Sequence, residues 1–113
     1  MRHIEDDIQS AVCQHLDLRG VPGLVWFHPA NGGHRSKITA AIMKRLGVRP
    51  GVSDLVLFYD KKSFCLELKA PKGRLSDSQH NFLTRAAAAG VHCAVAEGLD
   101  NALGQLERWG LLR

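Results

Sequence analysis

Two short apolar runs face each other across four polar residues. Leu55-Val-Leu-Phe-Tyr59 is followed by Asp60-Lys61-Lys62-Ser63 and then by Phe64-Cys-Leu-Glu-Leu68. Runs of this length and β-rich composition, joined by so few residues, have little choice but to form an antiparallel hairpin. The charges sit at one end of it. Asp54 opens the first run, and Glu67-Leu68-Lys69 closes the second. Buried strands seldom carry charge unless that charge is paired, binds a metal or takes part in chemistry.

The spacing makes a geometric claim. A turn centred between Lys61 and Lys62 sets Asp54 opposite Lys69 and Val56 opposite Glu67. Side chains alternate along a strand, so Asp54, Glu67 and Lys69 then share one sheet face. Opposed residues have Cβ atoms roughly 5 Å apart and diagonal ones about 7–8 Å apart, within reach of one bridging cation. A two- or four-residue loop is expected to preserve this register and a three-residue loop to destroy it. A cross-strand salt bridge on a solvated face is the plain alternative. The apolar middle of the hairpin and the clustering of charge at one end favour a site. Two carboxylates and a lysine there suit a divalent cation and the hydrolysis of a phosphodiester.

The rest of the chain reads as an α/β domain. Ile4, Ile8, Val12 and Leu16 recur at i+4 and predict a first helix that stops near Gly20. Glu5 sits beside that stripe, and as one of three acids in the first turn it also suits the helix dipole. Leu24 to Phe27 predicts a strand, and Ser36 caps a second helix that runs to Leu46 and ends at Gly47. Ser76 and Gln79 form a capping-box pattern for a third helix, with Phe82, Leu83, Ala86 and Ala87 on its inner face. Val91 to Ala96 predicts a strand parallel to Phe64–Leu68, since a helix connects them, and Leu99 to Trp109 a last helix. The order is αβαββαβα, a mixed sheet flanked by helices. No linker or repeat interrupts residues 1–113, which are expected to form one domain.

Charge and cysteine usage narrow the classes. A net charge of +4 and a pI near 9.3 suit a polyanionic partner. Cys13, Cys65 and Cys93 are odd in number and widely spaced, which argues against a disulfide framework and a structural zinc site. The charged N-terminal residues and the lack of a membrane-length apolar run lead us to expect a cytoplasmic protein.

Asn31-Gly32-Gly33 precedes a basic helix. Its glycines permit a turn, and its successive N–H groups could also form an anion nest, with His34, Arg35 and Lys37 adding positive charge. Lys44, Lys72 and Arg74, with Arg45 and Arg49, extend a candidate phosphate track. His28 and His34 flank the loop and are the better histidine candidates for phosphate contact. Trp26 and Trp109 read as core or interface residues, which leaves little for base stacking.

Gly47-Val-Arg-Pro-Gly-Val-Ser-Asp-Leu55, Glu67-Leu-Lys-Ala70 and Gly73-Arg-Leu-Ser-Asp-Ser-Gln79, with Glu5 and the Asn31-Gly-Gly33 loop, resemble the VRR-NUC (virus-type replication-repair nuclease) domain of stand-alone phage or bacterial type. That family belongs to the PD-(D/E)XK, restriction-endonuclease-like superfamily. Ser53 departs from the pattern, where the family usually has proline. The resemblance implies a divalent-metal-dependent DNA endonuclease. Asp54, Glu67 and the Leu68 carbonyl would hold Mg²⁺ or Mn²⁺, and Glu5 would bind the same or a second ion. Lys69 would orient water or neutralise transition-state charge, and Gln79 would position Lys69 or the water. It further implies branched DNA as substrate, cut by a homodimer as in four-way junction resolution. A monomeric flap-type nuclease and an inactive nucleic-acid-binding module are the alternatives. Val25-Trp-Phe27 and the tail Trp109-Gly-Leu-Leu112 are the candidate interface segments, and each suits the core of a single chain equally well.

Overall fold

The computed structural model describes residues 4–30 and 36–113. In chain order the elements are α1 (Ile4–Arg19), β1 (Val25–Phe27), α2 (Lys37–Arg45), β2 (Leu55–Tyr59), β3 (Lys62–Lys69), α3 (Asp77–Ala88), β4 (His92–Glu97) and α4 (Leu99–Arg108). This is the expected αβαββαβα order. The four strands form one mixed sheet in the order β1-β2-β3-β4, with β3 and β4 parallel and the other pairs antiparallel.

The hairpin is tighter than its composition predicts. Leu55 pairs with Leu66, Leu57 with Phe64 and Tyr59 with Lys62, so only Asp60 and Lys61 form the loop. Both have positive φ, 52° and 63°. Two such residues make a type I′ turn, whose twist matches that of the strands it joins. The register therefore moves by two residues from the expected one, and one step beyond Leu55 sets Asp54 opposite Glu67, not Lys69. A shift of two leaves every side chain on its own face. A two-residue loop thus does not preserve the expected register, although it preserves the face on which each side chain lies.

Apolar periodicity builds the core on one side of the sheet. Val12 and Leu16 of α1 and Ala102 and Leu106 of α4 close on Leu55, Leu57, Phe64, Leu66 and Leu68. Ile4, first in the helical stripe, lies beyond this contact and is exposed. Leu111 and Leu112 are buried in the same cluster. Their backbone is tied to the end of α1, with Val21 N–H donating to the Leu111 carbonyl and Arg113 N–H to that of Arg19. The apolar tail is thus core of this chain, which decides between the two readings its sequence leaves open.

The residues of β3 that alternate with this core set, Cys65, Glu67 and Lys69, are buried as well. Central strands covered on both faces read as continuous burial, and β3 is buried from Phe64 to Lys69. The capping box of α3 forms as the spacing predicts, with Ser76 Oγ accepting from Gln79 N–H and the Gln79 side chain accepting from Ser76 N–H. Leu83 is the buried residue of that helix, while Ala87, expected inward, is exposed. Helix α2 differs from the others. It is capped by Ser36 as expected, yet it buries no residue.

Candidate active site

Strand β2 begins at Leu55, one residue after Asp54, and β3 runs on past it. The Leu68 N–H, beyond the last β2 partner, would lack an acceptor there. Asp54 supplies one, its Oδ2 accepting that N–H at 2.8 Å. The aspartate carboxylate thus takes the place of a backbone carbonyl and is held in position. Its own carbonyl lies 2.6 Å from His28 Nδ1. Ser53, where the family has proline, is buried and donates from its hydroxyl to the Leu55 carbonyl at 3.1 Å. A side-chain hydrogen bond thus steadies the approach to Asp54.

Glu67 is the unusual residue. It is 1% exposed, and its Oε2 has no hydrogen-bond partner among the described residues. Burial pushes its carboxyl up to about 9, the hydrogen bond and charge of Asp54 push the same way, Lys69 opposes them, and Glu5 adds a smaller upward push. Asp54, Glu67, Lys69 and Glu5 therefore lie close enough to sense one another. Lys69 is itself 7% exposed. Glu5 is on the surface, and its Oε2 accepts the Ala70 N–H at 3.3 Å, so the N-terminus of α1 grips the chain just after Lys69.

Asp54 opens into a cleft of about 530 Å³ between α1, the segment before β2 and the start of α3. Gln79 lines it, with Asp6 and Gln9 of α1, His28, Ser76 and Ser78. The Gln79 Oε1 is engaged in the cap, which leaves its amide N–H groups as the side-chain donors. Gly51, at φ 79°, lets the segment before β2 lie directly on α3, since a Cβ there would collide with the Ser78 carbonyl. That contact fixes Gln79 relative to Asp54.

The sequence reading did not single out Gln9, Asp6, Ser76 or Ser78 as site residues. Gln9 had a signal, being four residues after Glu5 and so on the same helix face. The two serines had none, because only the docking of α3 brings them to the cleft. Lys37, Lys44, Lys72 and Arg74 are exposed, and none of them lines the cleft. Lys72, at φ 66°, anchors its turn by donating its N–H to Glu97 Oε1 at 2.9 Å. Asn31, Gly32, Gly33, His34 and Arg35 lie outside the described residues.

No three His, Cys, Asp or Glu side chains among the described residues converge into a ready-made metal cage. The donor set still fits a hard cation. Mg²⁺ is commonly held by one or two carboxylates and keeps several waters. Here two carboxylates adjoin, and one carries a buried oxygen with no partner. A strand residue turns its N–H and C=O to the same edge, so the Leu68 carbonyl faces the gap beyond β2 as its N–H does.

A mixed sheet flanked by helices, with acidic residues and a lysine drawn together where its central strands part, belongs among the α/β nuclease domains. The model of the VRR-NUC domain matches residues 4–100, and the chain belongs to that family of nucleases. A solved VRR_NUC domain protein superposes with a TM-score of 0.80 over 96% of this chain and 89% of its own, at 21% identity. At that identity the likeness concerns the fold. No curated protein matches the chain.

Proposed function

We propose that the protein is a divalent-metal-dependent DNA endonuclease whose active site is Glu5, Asp54, Glu67, Lys69 and Gln79. One observation carries this reading: a carboxylate buried beside a second carboxylate and a lysine, with one oxygen left without a partner among the described residues. A structural glutamate so placed would be costly, because the charge of Asp54 adds to its desolvation and Lys69 alone among the charges opposes them. Asp54, Glu67 and the Leu68 carbonyl would hold Mg²⁺ or Mn²⁺, with Glu5 at the margin. A divalent ion there would supply positive charge against the phosphate and render water acidic enough to attack at neutral pH. The chain's own residues do the rest. Leu68 N–H fixes Asp54, Lys69 counters the charge that builds on the phosphate oxygens, and the Gln79 amide donates towards the water or the phosphate.

The basic residues Lys37, Lys44, Lys72 and Arg74, with the Asn31–Arg35 loop, form the DNA track of this reading. We take residues 1–113 as one domain, acting on branched DNA in the cytoplasm as a homodimer. Among the described residues no helix is long and apolar enough to cross a membrane. The homodimer is supported by surface left uncovered. Ile38 and Ile42 of α2 and its C-cap Leu46 follow one another at i+4 and are 76%, 44% and 73% exposed. Val25 and Phe27 on the edge strand β1, with Phe58 beside them, are exposed as well. A two-fold pair of sites matches the symmetry of a four-way junction.

Purified protein with four-way junction, flap, nicked and single-stranded substrates provides the test, with Mg²⁺ and with EDTA. Paired nicks on opposing junction strands, abolished by EDTA, are expected. Undiminished cleavage in EDTA would remove the metal assignment, and a solution mass near 12.4 kDa would leave the monomeric flap nuclease as the better reading.

A further inference from the structure

A second cavity of about 780 Å³ opens beside the cleft that holds Asp54. The two share Ala30, Pro50, Val52 and Ser78 and so adjoin. Their chemistry differs. The first is lined by carboxylate, amide and hydroxyl groups, the second mainly by Val48, Val52, Phe82 and Ala86, with Arg49 and Arg85 beside them. Phe82 is only half-buried, although its helical position predicts a core residue. The Arg49 guanidinium is held by the Lys44 and Val48 carbonyls, at 2.9 and 3.3 Å, and Arg85 is exposed on the last turn of α3.

We propose that this cavity receives an unpaired nucleotide of the strand whose phosphate enters the neighbouring cleft. The inference rests on the nuclease reading and adds a substrate feature to it. A base has two apolar faces and needs an apolar slot with an aromatic surface, which Phe82 provides. The phosphate attached to it needs a cation close by, which Arg85 provides. A paired base cannot enter, because its edge and both faces are engaged within the duplex. Other occupants fit less well. An apolar small molecule would make no use of the exposed Arg85 guanidinium, and an acidic peptide would gain nothing from a connection to Asp54. Volume is adequate, since ligand pockets commonly span about 300–1,000 Å³.

The test compares two oligonucleotide duplexes of one sequence, one nicked and one carrying a two-nucleotide flap at the nick. The flap contains the fluorescent base 2-aminopurine. Wild-type protein is expected to quench that base on binding without added metal, and to cleave the flapped duplex with the lower KM. Phe82→Ala and Arg85→Gln are expected to abolish the quenching and to raise KM on the flapped duplex about tenfold, the order of one lost stacking contact. KM on the nicked duplex and kcat on both should hold within about twofold. Phe82→Leu keeps the volume and removes the ring, so it guards against loss of fold in the alanine variant. Equal loss on both substrates, or quenching that survives both variants, would overturn the proposal. Binding is read without metal, so a protein that quenches the base but cleaves nothing would refute the nuclease reading and leave the cavity assignment standing.

Discussion

The end of β3 and helix α2 break the ordinary partition of residues in opposite directions. Strand β3 buries Glu67 and Lys69, while α2 buries nothing and exposes Ile38 and Ile42 together with its C-cap Leu46. Neither choice helps an isolated chain to fold. Buried charge costs desolvation, and an exposed apolar stripe forgoes burial worth about 25 cal/mol per Å². Each departure motivates one part of the proposed function, the buried carboxylate the metal site and the exposed stripe the homodimer. The two need different tests, because removing a buried charge acts within one chain and removing an exposed apolar residue acts between chains.

The largest effect should come from the charged end. Asp54→Ala and Glu67→Gln are each expected to reduce Mg²⁺-dependent cleavage by at least about a hundredfold, as when a preorganised charge partner is lost. Circular dichroism should stay native. Full activity in either variant would return the cluster to a structural role.

A second effect concerns pH. With the Glu67 carboxyl raised to about 9 in the fold and ordinary in the unfolded chain, the folded state holds the extra proton between those values. Stability of the metal-free protein should then fall as pH rises from about 4.5 towards 9. Glu67→Gln removes that slope and should raise Tm at pH 8 by several degrees, for a change on the order of 2 kcal/mol. Binding of Mg²⁺ must release the proton, so the thermal shift it produces should be larger at pH 9 than at pH 6. Thermal melts at the three pH values read both effects, and a flat profile for the wild type would contradict them.

On the apolar side, Ile42→Glu should change monomer stability by no more than about 0.5 kcal/mol, because the site is exposed. The same change should halve the mass found by light scattering. A loss of several kcal/mol would mean that α2 packs on its own chain.

The smallest effect belongs to the turn that sets the register of the charges. Lys61 has φ 63°, and a type I′ turn favours glycine at its second position. Lys61→Gly should stabilise the protein by about 0.5–1 kcal/mol in urea unfolding, leaving cleavage unaltered. Destabilisation would show that the lysine side chain makes a contact the turn needs.

Much of this architecture could be read directly from residues. Helical spacing located the first helix, apolar runs bounded by turn and cap residues located the other elements, and the Ser76–Gln79 capping box was visible because its partners are three residues apart. Glu67 and Lys69 announced themselves by standing at the end of an apolar run. Local physics governs each of these features, so local sequence reveals them. The exact pairing of the hairpin escaped, since Asp60 and Lys61 are poor candidates for positive φ and only the twist of the assembled strands selects them. Leu111 and Leu112 were ambiguous for a similar reason. An apolar tail looks the same whether it meets its own α1 or a second chain, and the Val21–Leu111 and Arg19–Arg113 backbone bonds that decide it join residues some ninety positions apart.

The sequence by itself determined the order of elements, the shared face of Asp54, Glu67 and Lys69, and the family, because these follow from spacing along the chain. Tertiary structure alone decided that Glu67 would be buried with an unpartnered oxygen, that Leu68 N–H would hold Asp54, and that Phe82 would line a cavity and not the core. Those outcomes depend on which elements stop short and which pack together, and desolvation acts only once the whole fold has closed around a group.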